Sequence, residues 1–436
     1  MAALIPDSSA DLIARRAARF GPNVATFYEE PVHIVRGDGV WLFDADGRRY
    51  LDCYNNVPHV GHCNARVVDA ICRQASILNV HTRYLHDAPV DYADRLAATF
   101  DGPLSTVLMT CTGSEANDIA LRMAEALTGR RGIIATDYTY HGNTSAVSQL
   151  SRSNVPQTGR GDHVRFVPAP DSVRPLGGET GMAHAHAFAA AVETEIDALS
   201  KSEQGFAGLI LCPHFVNEGF PDLPDGWLQP AVEAVRKAGG ILIADEVQPG
   251  FGRIGSHMWA HQRHGFVPDV VTLGKPMANG HPVGAVVATA DAMKAFRSSF
   301  RYFNTFGGNP VSCAAAMAVL DELEAQKLPD RAKRVGAYAV SRLQNLADKH
   351  EAIGDVRGSG LIFGAEMVLD RQTMQPASAF TDRIVNEMRR RGILLSKLGR
   401  FKNTLKIRPP MPFDGDNVDL LVETLDGVLS DIPLAP

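Results

Sequence analysis

Short apolar stretches alternate with helical stretches through the middle of the chain, and this alternation restricts the possible fold more than any other feature of the 436 residues. The strand-like stretches are residues 105–110, 132–136, 163–167, 208–212, 241–245, 270–273 and 283–289. The helical stretches are residues 65–76, 89–99, 115–128, 185–200 and 227–238. The alternation predicts an α/β fold in which helices cover both faces of a mostly parallel sheet.

The two ends of the chain and one segment in its middle have a different pattern. Residues 31–52 combine short strands with tight turns, which predicts a small antiparallel unit. Residues 170–185 are rich in Pro, Gly and Ser, which predicts a surface excursion. A helical stretch over 311–348 is followed by mixed strand and helix patterns. We therefore divide the chain into an N-terminal segment at 1–64, a large domain at 65–310 and a C-terminal small domain at 311–436.

Composition narrows the function classes. The formal net charge of −6 comes without a basic block, so nucleic acid is not an expected partner. No apolar run reaches 18 residues and the first seven residues do not resemble a secretory signal, so we expect neither membrane insertion nor secretion. Six cysteines without a Cys-x-x-Cys pair are typical of reduced thiols in a cytoplasmic protein. Fifteen histidines form no ligand motif, so no metal site is predicted.

Two polar side chains follow strand-like stretches at positions where they could meet. Asp245 ends the stretch 241–245, and Lys275 follows the stretch 270–273 after one glycine. Ligands of open α/β sheets bind at the carboxyl ends of strands. A desolvated lysine has a lowered pKa and remains a nucleophilic amine. This amine and carboxylate suit pyridoxal phosphate, which needs a Schiff-base lysine and an acidic partner for its ring nitrogen.

Two further motifs could complete such a site. In Thr112-Gly-Ser-Glu-Ala-Asn-Asp118, Ser114 is a predicted helix N-cap and Gly113 would allow close backbone approach, so the free amides could hold a phosphate. An ordinary capped helix would explain the same residues. In Tyr138-Thr-Tyr-His-Gly142, an aromatic ring could stack on a planar cofactor or simply fill a loop.

Nucleotide-binding motifs do not match. Gly274-Lys275 lacks the earlier glycine of a Walker A sequence, and Gly358-Ser-Gly-Leu-Ile-Phe-Gly364 has one residue too many for a dinucleotide fingerprint. A dinucleotide cofactor is therefore not expected.

Taken in order, these residues resemble the class III aminotransferases, which are pyridoxal-phosphate enzymes of fold type I. The resemblance extends over nearly the whole chain. It also includes Gly39-Val-Trp-Leu-Phe-Asp-Ala-Asp-Gly47, Gly61-His62, the segment from Asp245 to Arg253 and Asn304-Thr-Phe-Gly-Gly-Asn309. It implies a large domain around a mostly parallel sheet and a small α+β domain built from N- and C-terminal segments.

The resemblance also implies roles for individual residues. Lys275 would form the Schiff base and move the proton between the substrate Cα and the cofactor C4′, and Asp245 would pair with the ring nitrogen. Thr305 would reach the phosphate of a neighbouring subunit, which implies an obligate homodimer with active sites at its interface. The other implied cofactor contacts are Gly113 and Ser114 at the phosphate, Val247 and Tyr140 on the two faces of the ring, His141 beside Tyr140, and Gln248 near the phenolic oxygen.

The chain departs from the family pattern at the substrate end. Asn217 stands where many members have the glutamate that partners a substrate-binding arginine, and Lys406 stands at the usual place of that arginine. Arg408 lies two residues further on, so a strand would place both cations on one side. Either could bind a substrate anion, and a solvated basic pair would be the ordinary alternative. We expect Tyr54, Asn56 and Tyr84 in the pocket walls from their positions.

These features first predict an aminotransferase that moves an amino group from an amine or amino acid to a keto acid, with pyruvate the expected acceptor, in two ping-pong halves. Residues 81–87, 274–283 and 405–411 resemble instead the ethanolamine-phosphate phospho-lyase branch, so phosphate elimination from a phosphorylated amino alcohol is the alternative. A non-catalytic protein would not require Lys275 and Asp245 together, and we consider it the weakest hypothesis.

Overall fold

The computed structural model describes residues 9–22, 24–152 and 159–434, so the first seven residues, on which the expectation about secretion rests, lie outside it. Helix α1, Ser9–Phe20, has no buried residue. Three strands follow: β1 (Ile34–Asp38), β2 (Trp41–Asp44) and β3 (Arg49–Asp52). They pair in an antiparallel manner in chain order, which confirms the unit predicted over 31–52.

The central sheet has seven strands. They are β4 (Leu104–Thr110), β5 (Gly132–Thr136), β6 (Val164–Val167), β7 (Phe206–Leu211), β8 (Ile241–Asp245), β9 (Val270–Leu273) and β10 (Gly284–Thr289). Their order in the sheet is β4-β10-β9-β8-β7-β5-β6. Only β10 runs antiparallel to its neighbours β4 and β9, so the predicted mostly parallel sheet is confirmed.

Helices pack against both faces of this sheet. They include α3 (Asp87–Ala97), α4 (Gly113–Thr128), α5 (Gly181–Ser200), α6 (Gln229–Lys237) and α8 (Ala290–Ser299). Two further helices of this region are α2 (Ala65–Ile77) and α7 (Ala260–Arg263). Apolar side chains of α4 and α8 form one buried cluster with the sheet, and those of α5 and α6 form another. The predicted surface excursion is shorter than 170–185, because α5 already begins at Gly181.

The helical stretch predicted over 311–348 is confirmed, but it is divided into two helices, α9 (Pro310–Ala325) and α10 (Leu328–Ala347). Lys327 has a φ of 48°, in the left-handed region, and the second helix begins at Leu328 with Pro329 in its first turn. A proline has no backbone N–H to donate to the carbonyl four residues earlier, so one continuous helix across Pro329 is disfavoured.

The remaining elements form a second sheet and its cover. They are β11 (Ile353–Ser359), β12 (Ile362–Asp370), β13 (Gln375–Pro376), α11 (Ser378–Arg390), β14 (Ile393–Leu394), β15 (Ser396–Leu398), β16 (Thr404–Lys406) and α12 (Gly415–Asp431). Strands β11, β12, β16 and β15 are neighbours in that order, whereas β14 pairs with β3. The N- and C-terminal segments therefore share a sheet, and the domain boundaries at 64/65 and 310/311 stay a prediction.

Within the described ranges, no helix has both the length and the apolar character needed to cross a bilayer. The carboxyl ends of β5, β8 and β9 meet at one edge of the central sheet, where ligands bind in this architecture.

Candidate active site

A cavity of about 360 Å³ lies at this edge of the central sheet. Eight of the nine residues predicted to contact a cofactor line it: Gly113, Ser114, Tyr140, His141, Asp245, Val247, Gln248 and Lys275. They come from the start of α4 and from the loops after β5, β8 and β9. The fold thus brings together residues that are up to 162 positions apart in the chain, from Gly113 to Lys275.

Lys275 begins a short 3₁₀ turn, Lys275–Ala278, just beyond β9. Its φ is 22°, outside the conformations that residues with side chains usually adopt, and such backbone strain is often found at functional sites. Burial lowers the pKa of its amine, and the nearby Arg408 lowers it further, while Asp245 and Cys212 act in the opposite direction. The lowered pKa favours the uncharged, nucleophilic amine.

Asp245 is held by three hydrogen bonds at the end of β8. Its Oδ2 accepts from Asn117 Nδ2 at 3.0 Å and is 2.6 Å from His141 Nδ1. Its Oδ1 accepts from the backbone N of Val247 at 3.0 Å. Asn117 is in turn fixed by Thr272, whose hydroxyl donates to its Oδ1 at 2.7 Å. The carboxylate therefore has a fixed orientation and can face a pyridine nitrogen without rearrangement.

The N-terminus of α4 differs from the sequence prediction. Thr112, not Ser114, is the N-cap: Thr112 accepts from the backbone N of Glu115, and the Glu115 side chain accepts from the N-cap backbone. Ser114 lies in the first turn, where its Oγ accepts from the backbone N of Asn143 at 3.2 Å. Thr112 and Glu115 have the capping-box spacing, so the correct N-cap was readable from the sequence.

The glycines at this end fit a bound phosphate and ring. A Cβ at Gly113 would lie 2.9 Å from Val247 Cγ2, and one at Gly142 would lie 2.5 Å from Ser114 Oγ. Neither position can carry a side chain while the backbone stays so close to its neighbours. With the free amides of a helix N-terminus, the buried Lys275 amine and the fixed Asp245 carboxylate, these residues fit pyridoxal phosphate.

Two buried cations lie close to Lys275. Lys406, at the end of β16, donates to Asn217 Oδ1 at 3.2 Å, and Arg408 donates to Gln248 Oε1. The Arg408 guanidinium is 5.3 Å from the ring centroid of Tyr54, and the Lys406 ammonium is 6.0 Å from it. The prediction that both cations face one side agrees with this geometry.

The electrostatics of these cations call for an anion. Burial, Arg408 and Lys275 together lower the pKa of Lys406 well below its ordinary value. Burial lowers the pKa of Arg408 to about 10, although Tyr54 and Asp52 oppose the change. Arg408 Nε is buried and has no hydrogen-bond partner among the described residues. Since buried charges need compensation, an anion entering beside these side chains would stabilise their charged forms.

Seven predicted residues do not line the cavity: Tyr54, Asn217, Lys406 and Arg408, which form the group described above, and Tyr84, Thr305 and Asn56. Tyr84 is 65% exposed and lines a second cavity, of about 530 Å³, where it stacks on His81 at 5.1 Å. Thr305 is exposed. Asn56 is buried, and its Nδ2 has no hydrogen-bond partner in the described part of the chain. Within a single chain Tyr84 lines this second cavity and not the one around Lys275, so the expectation that it forms a wall of the substrate pocket stays a prediction.

Sequence reasoning missed three residues of the site's surroundings: Asn117, Thr139 and Glu218. Asn117 and Thr139 belong to motifs that were singled out without a role for them. Glu218 follows Asn217 and is buried in a loop between β7 and α6. Its burial results from tertiary contacts and has no signal in the sequence.

A family model described as aminotransferase class-III matches residues 24–429. An alanine–glyoxylate aminotransferase 2-like protein of Drosophila melanogaster is 40% identical over 94% of this chain and 85% of its own length. An ethanolamine-phosphate phospho-lyase homolog of Caenorhabditis elegans is 35% identical over 97% and 94% of the two chains. The structure also resembles a phospholyase from Arthrobacter solved with phosphoethanolamine, with a TM-score of 0.92, 42% identity, and coverage of 97% of this chain and 100% of that one.

Proposed function

The chain belongs to the class-III aminotransferases, whose cofactor is pyridoxal 5′-phosphate, and from this premise we propose that it removes the Cα proton of a small phosphorylated amine and expels the phosphate. The observation that carries the proposal is the pair of buried cations, Lys406 and Arg408. Within the described residues they hydrogen-bond to the neutral side chains of Asn217 and Gln248, and no carboxylate lies within ion-pair distance. A phosphate monoester carries nearly two negative charges at neutral pH, so it matches two such cations better than a single carboxylate does.

Each residue then has a defined task. Pyridoxal phosphate, when bound, supplies an electron sink for the Cα–H electron pair. Lys275 would hold the cofactor in the resting enzyme and, once the substrate amine has displaced it, would take the Cα proton with its free amine. Asp245 keeps a proton on the ring nitrogen. The bond between the carbon next to Cα and its phosphate oxygen breaks, and a double bond forms between that carbon and Cα. Lys406 and Arg408 would hold the departing phosphate.

Two of the similar proteins support the same choice. The Arthrobacter phospholyase was solved with phosphoethanolamine, and the Caenorhabditis elegans relative is named as a phospho-lyase homolog. Phosphoethanolamine is therefore the first substrate to test. Inorganic phosphate release that needs no keto acid would establish the elimination, and its absence across phosphorylated amines would exclude it.

Replacing Lys406 or Arg408 with methionine is expected to raise the KM for phosphoethanolamine by about 10- to 100-fold, because a hydrogen bond to a charged group contributes roughly 1.5–3 kcal/mol. Lys397→Met is the matched control, since Lys397 lies on the neighbouring strand β15 and pairs with Asp382. The measurement is steady-state phosphate release. An unchanged KM in both the Lys406 and the Arg408 variant would show that the anion binds elsewhere.

Transamination is the second candidate. It uses the same Lys275 and Asp245, and Arg408 alone could hold a carboxylate through two parallel hydrogen bonds. The Drosophila melanogaster relative is named as an aminotransferase. In this case amino donors would convert the bound cofactor to its amine form, and pyruvate would restore it in a second, separate half-reaction. A donor that needs pyruvate for turnover and releases no phosphate would favour this candidate.

We also propose that the protein acts in the cytoplasm as a homodimer whose active sites lie at the interface. All six cysteines are free, as is usual in a reducing compartment. Tyr84, Leu85 and Phe303 line one cavity and are 65%, 104% and 42% exposed, which is unusual for clustered large apolar side chains unless they meet a partner. A second copy covering them would bring Thr305 towards the partner's cofactor phosphate, as the family resemblance implies.

Leu85→Asp is expected to dissociate this dimer, because a charge would be buried in an apolar contact. Sedimentation equilibrium should show the mass of two chains for the wild type and of one chain for the variant, with a matching loss of activity. Leu420→Asp, on the exposed face of α12, is the control and should leave the mass unchanged. A wild-type protein with the mass of one chain would contradict the proposal.

A further inference from the structure

The segment at 213–220, between β7 and α6, carries Asn217 and lies against the second sheet, and we call it the Asn217 loop. The backbone N of Gly399, just after β15, donates to the Asn217 carbonyl at 3.2 Å. Lys406, at the end of β16, donates to Asn217 Oδ1 at 3.2 Å. The position of this loop therefore decides where the Lys406 amine is held.

The backbone of the Asn217 loop is strained near both ends. Phe215 has a φ of 46° and Phe220 a φ of 38°, in the left-handed region that bulky residues rarely adopt. The backbone N of Phe220 donates to the Phe215 carbonyl at 2.9 Å, which closes the loop. Strained backbone persists only where the surrounding structure over-determines it, so this loop needs contacts from outside.

Arg357, a buried residue of β11, supplies such a contact. Its Nε donates to the Gly219 carbonyl at 2.9 Å. Its Nη1 donates to Asp355 Oδ2 at 2.6 Å and lies 2.8 Å from Glu366 Oε2. Burial acts to lower the pKa of Arg357, but the charges of Glu366 and Asp355 outweigh it and the pKa is raised. The guanidinium is thus charged and held by ion pairs, with its Nε–H directed at the loop.

Arg357 does not itself reach the substrate cavity. It lines a separate cavity of about 10 Å³, which has room for about one water molecule, whereas other residues line the cavity around Lys275. Any effect of Arg357 on the substrate must therefore pass through the residues that it holds.

We propose that Arg357 is a positioning residue, which fixes the Asn217 loop through the Gly219 carbonyl so that Asn217 holds the Lys406 amine ready for the anionic group of the substrate. The inference rests on the proposed function, because it requires an anion at Lys406 and Arg408. It assigns to the Arg357–Glu366 ion pair, which lies outside the substrate cavity, a part in the affinity for that anion.

The physical reason lies in the freedom of a lysine side chain. A flexible four-carbon stem loses conformational freedom when its ammonium group is held in one place. Asn217 already accepts one of the three N–H bonds of the Lys406 ammonium, so much of this loss occurs on folding. The other two N–H bonds remain for a phosphate. If the loop moved, the loss would occur on substrate binding and would weaken it.

Arg174 offers a matched control. Its Nη1 donates to the other oxygen of Glu366, Oε1, at 2.6 Å, and within the described part of the chain it makes no hydrogen bond to the Asn217 loop. Replacing either arginine with lysine keeps a positive charge beside Glu366 but loses the planar set of donors. Only Arg357→Lys removes the N–H that reaches Gly219.

The first measurement is the dissociation constant of inorganic phosphate for the holoenzyme, by titration calorimetry, with the cofactor's own phosphate site occupied. We expect Arg357→Lys to raise it about three- to tenfold, the worth of one hydrogen bond, and Arg174→Lys to leave it unchanged. Asp355→Asn, at a partly exposed ion-pair partner of Arg357, should act in the same direction by a smaller factor. This second variant covers a failure of Arg357→Lys to fold.

A double-mutant cycle tests whether Arg357 acts through Asn217. Asn217→Ala alone should weaken phosphate binding, and adding Arg357→Lys to it should cause no further loss. A further three- to tenfold loss in the double variant would overturn the proposal, because Arg357 would then act independently of Asn217.

Turnover separates positioning from general structural support. With phosphoethanolamine, the KM of Arg357→Lys should rise by the same factor while kcat stays unchanged. Equal losses of kcat in Arg357→Lys and Arg174→Lys would overturn the proposal.

Lys406→Met distinguishes a failure of this inference from a failure of the proposed function. If Lys406→Met binds phosphate weakly while Arg357→Lys and Asp355→Asn bind it as the wild type does, the positioning role alone is wrong. If Lys406→Met also binds phosphate as the wild type does, the proposed anion site is wrong and the positioning role fails with it.

Discussion

Replacing Lys275 with alanine is expected to abolish turnover and the covalent attachment of the cofactor while leaving the fold intact. The pKa of the Lys275 amine is lowered mainly by burial, so it is available both as a nucleophile and as the base that takes the Cα proton. Proton transfer by a positioned side chain alone contributes about 10²- to 10⁴-fold to a rate. Since Lys275 has both roles, we expect the rate to fall by more than about 10⁴-fold.

The measurement for Lys275→Ala is the mass of the protein after borohydride treatment, which fixes an attached cofactor, together with its visible absorbance. The wild type should gain the mass of the cofactor, and the variant should not. Lys294→Ala, an exposed lysine on α8, is the control and should behave as the wild type. If the variant still gained the mass of the cofactor, the residue that carries it would have to be located, and Lys406 is the neighbouring buried amine that could hold it. Its attachment there with retained turnover would contradict the assignment of Lys275.

The sheet could be predicted because its strands are apolar on both faces. Strands β8 and β9 match their predicted bounds at both ends, since nearly every side chain in them is buried and apolar. The break between α9 and α10 was missed because the apolar spacing continues across it. Pro329 contained the signal, but helical periodicity averaged over many residues hides one residue in a left-handed conformation.

The cofactor end of the site was predictable for a related reason. A polar side chain directly after a buried strand can only face the sheet edge, so Asp245 and Lys275 could be placed without coordinates. Glu218 could not be placed in this way, because its burial depends on contacts with Thr136, which is 82 residues away in the chain. Tyr84 could not be placed by the same argument, because position in the chain does not show whether a loop faces its own cavity or a second copy.

Replacing Asp245 with asparagine is expected to leave the cofactor bound but to slow Cα proton removal by about 10²- to 10³-fold, comparable to removing one preorganised group that stabilises transition-state charge. The neutral amide cannot keep a proton on the ring nitrogen, so the electron sink is weakened. The amide also disturbs its surroundings. Asp245 accepts hydrogen bonds at both carboxylate oxygens: Oδ2 accepts from Asn117 and His141, and Oδ1 accepts from the backbone N of Val247. The NH₂ group of an asparagine would therefore face a hydrogen-bond donor in either orientation.

This clash allows the two consequences of Asp245→Asn to be separated. The asparagine NH₂ and the hydrogen-bond donor that it faces would both be buried without an acceptor. We expect this to lower the free energy of unfolding by about 1–3 kcal/mol, and denaturant unfolding measures the change. Loss of the electron sink is measured by the exchange of the substrate Cα hydrogen with deuterated solvent, at temperatures where the variant is fully folded. Asp118→Asn is the control, because Asp118 lies in the first turns of α4 and pairs with Arg122. Exchange at the wild-type rate in folded Asp245→Asn would show that another group serves the ring nitrogen, and the role assigned to Asp245 would then be wrong.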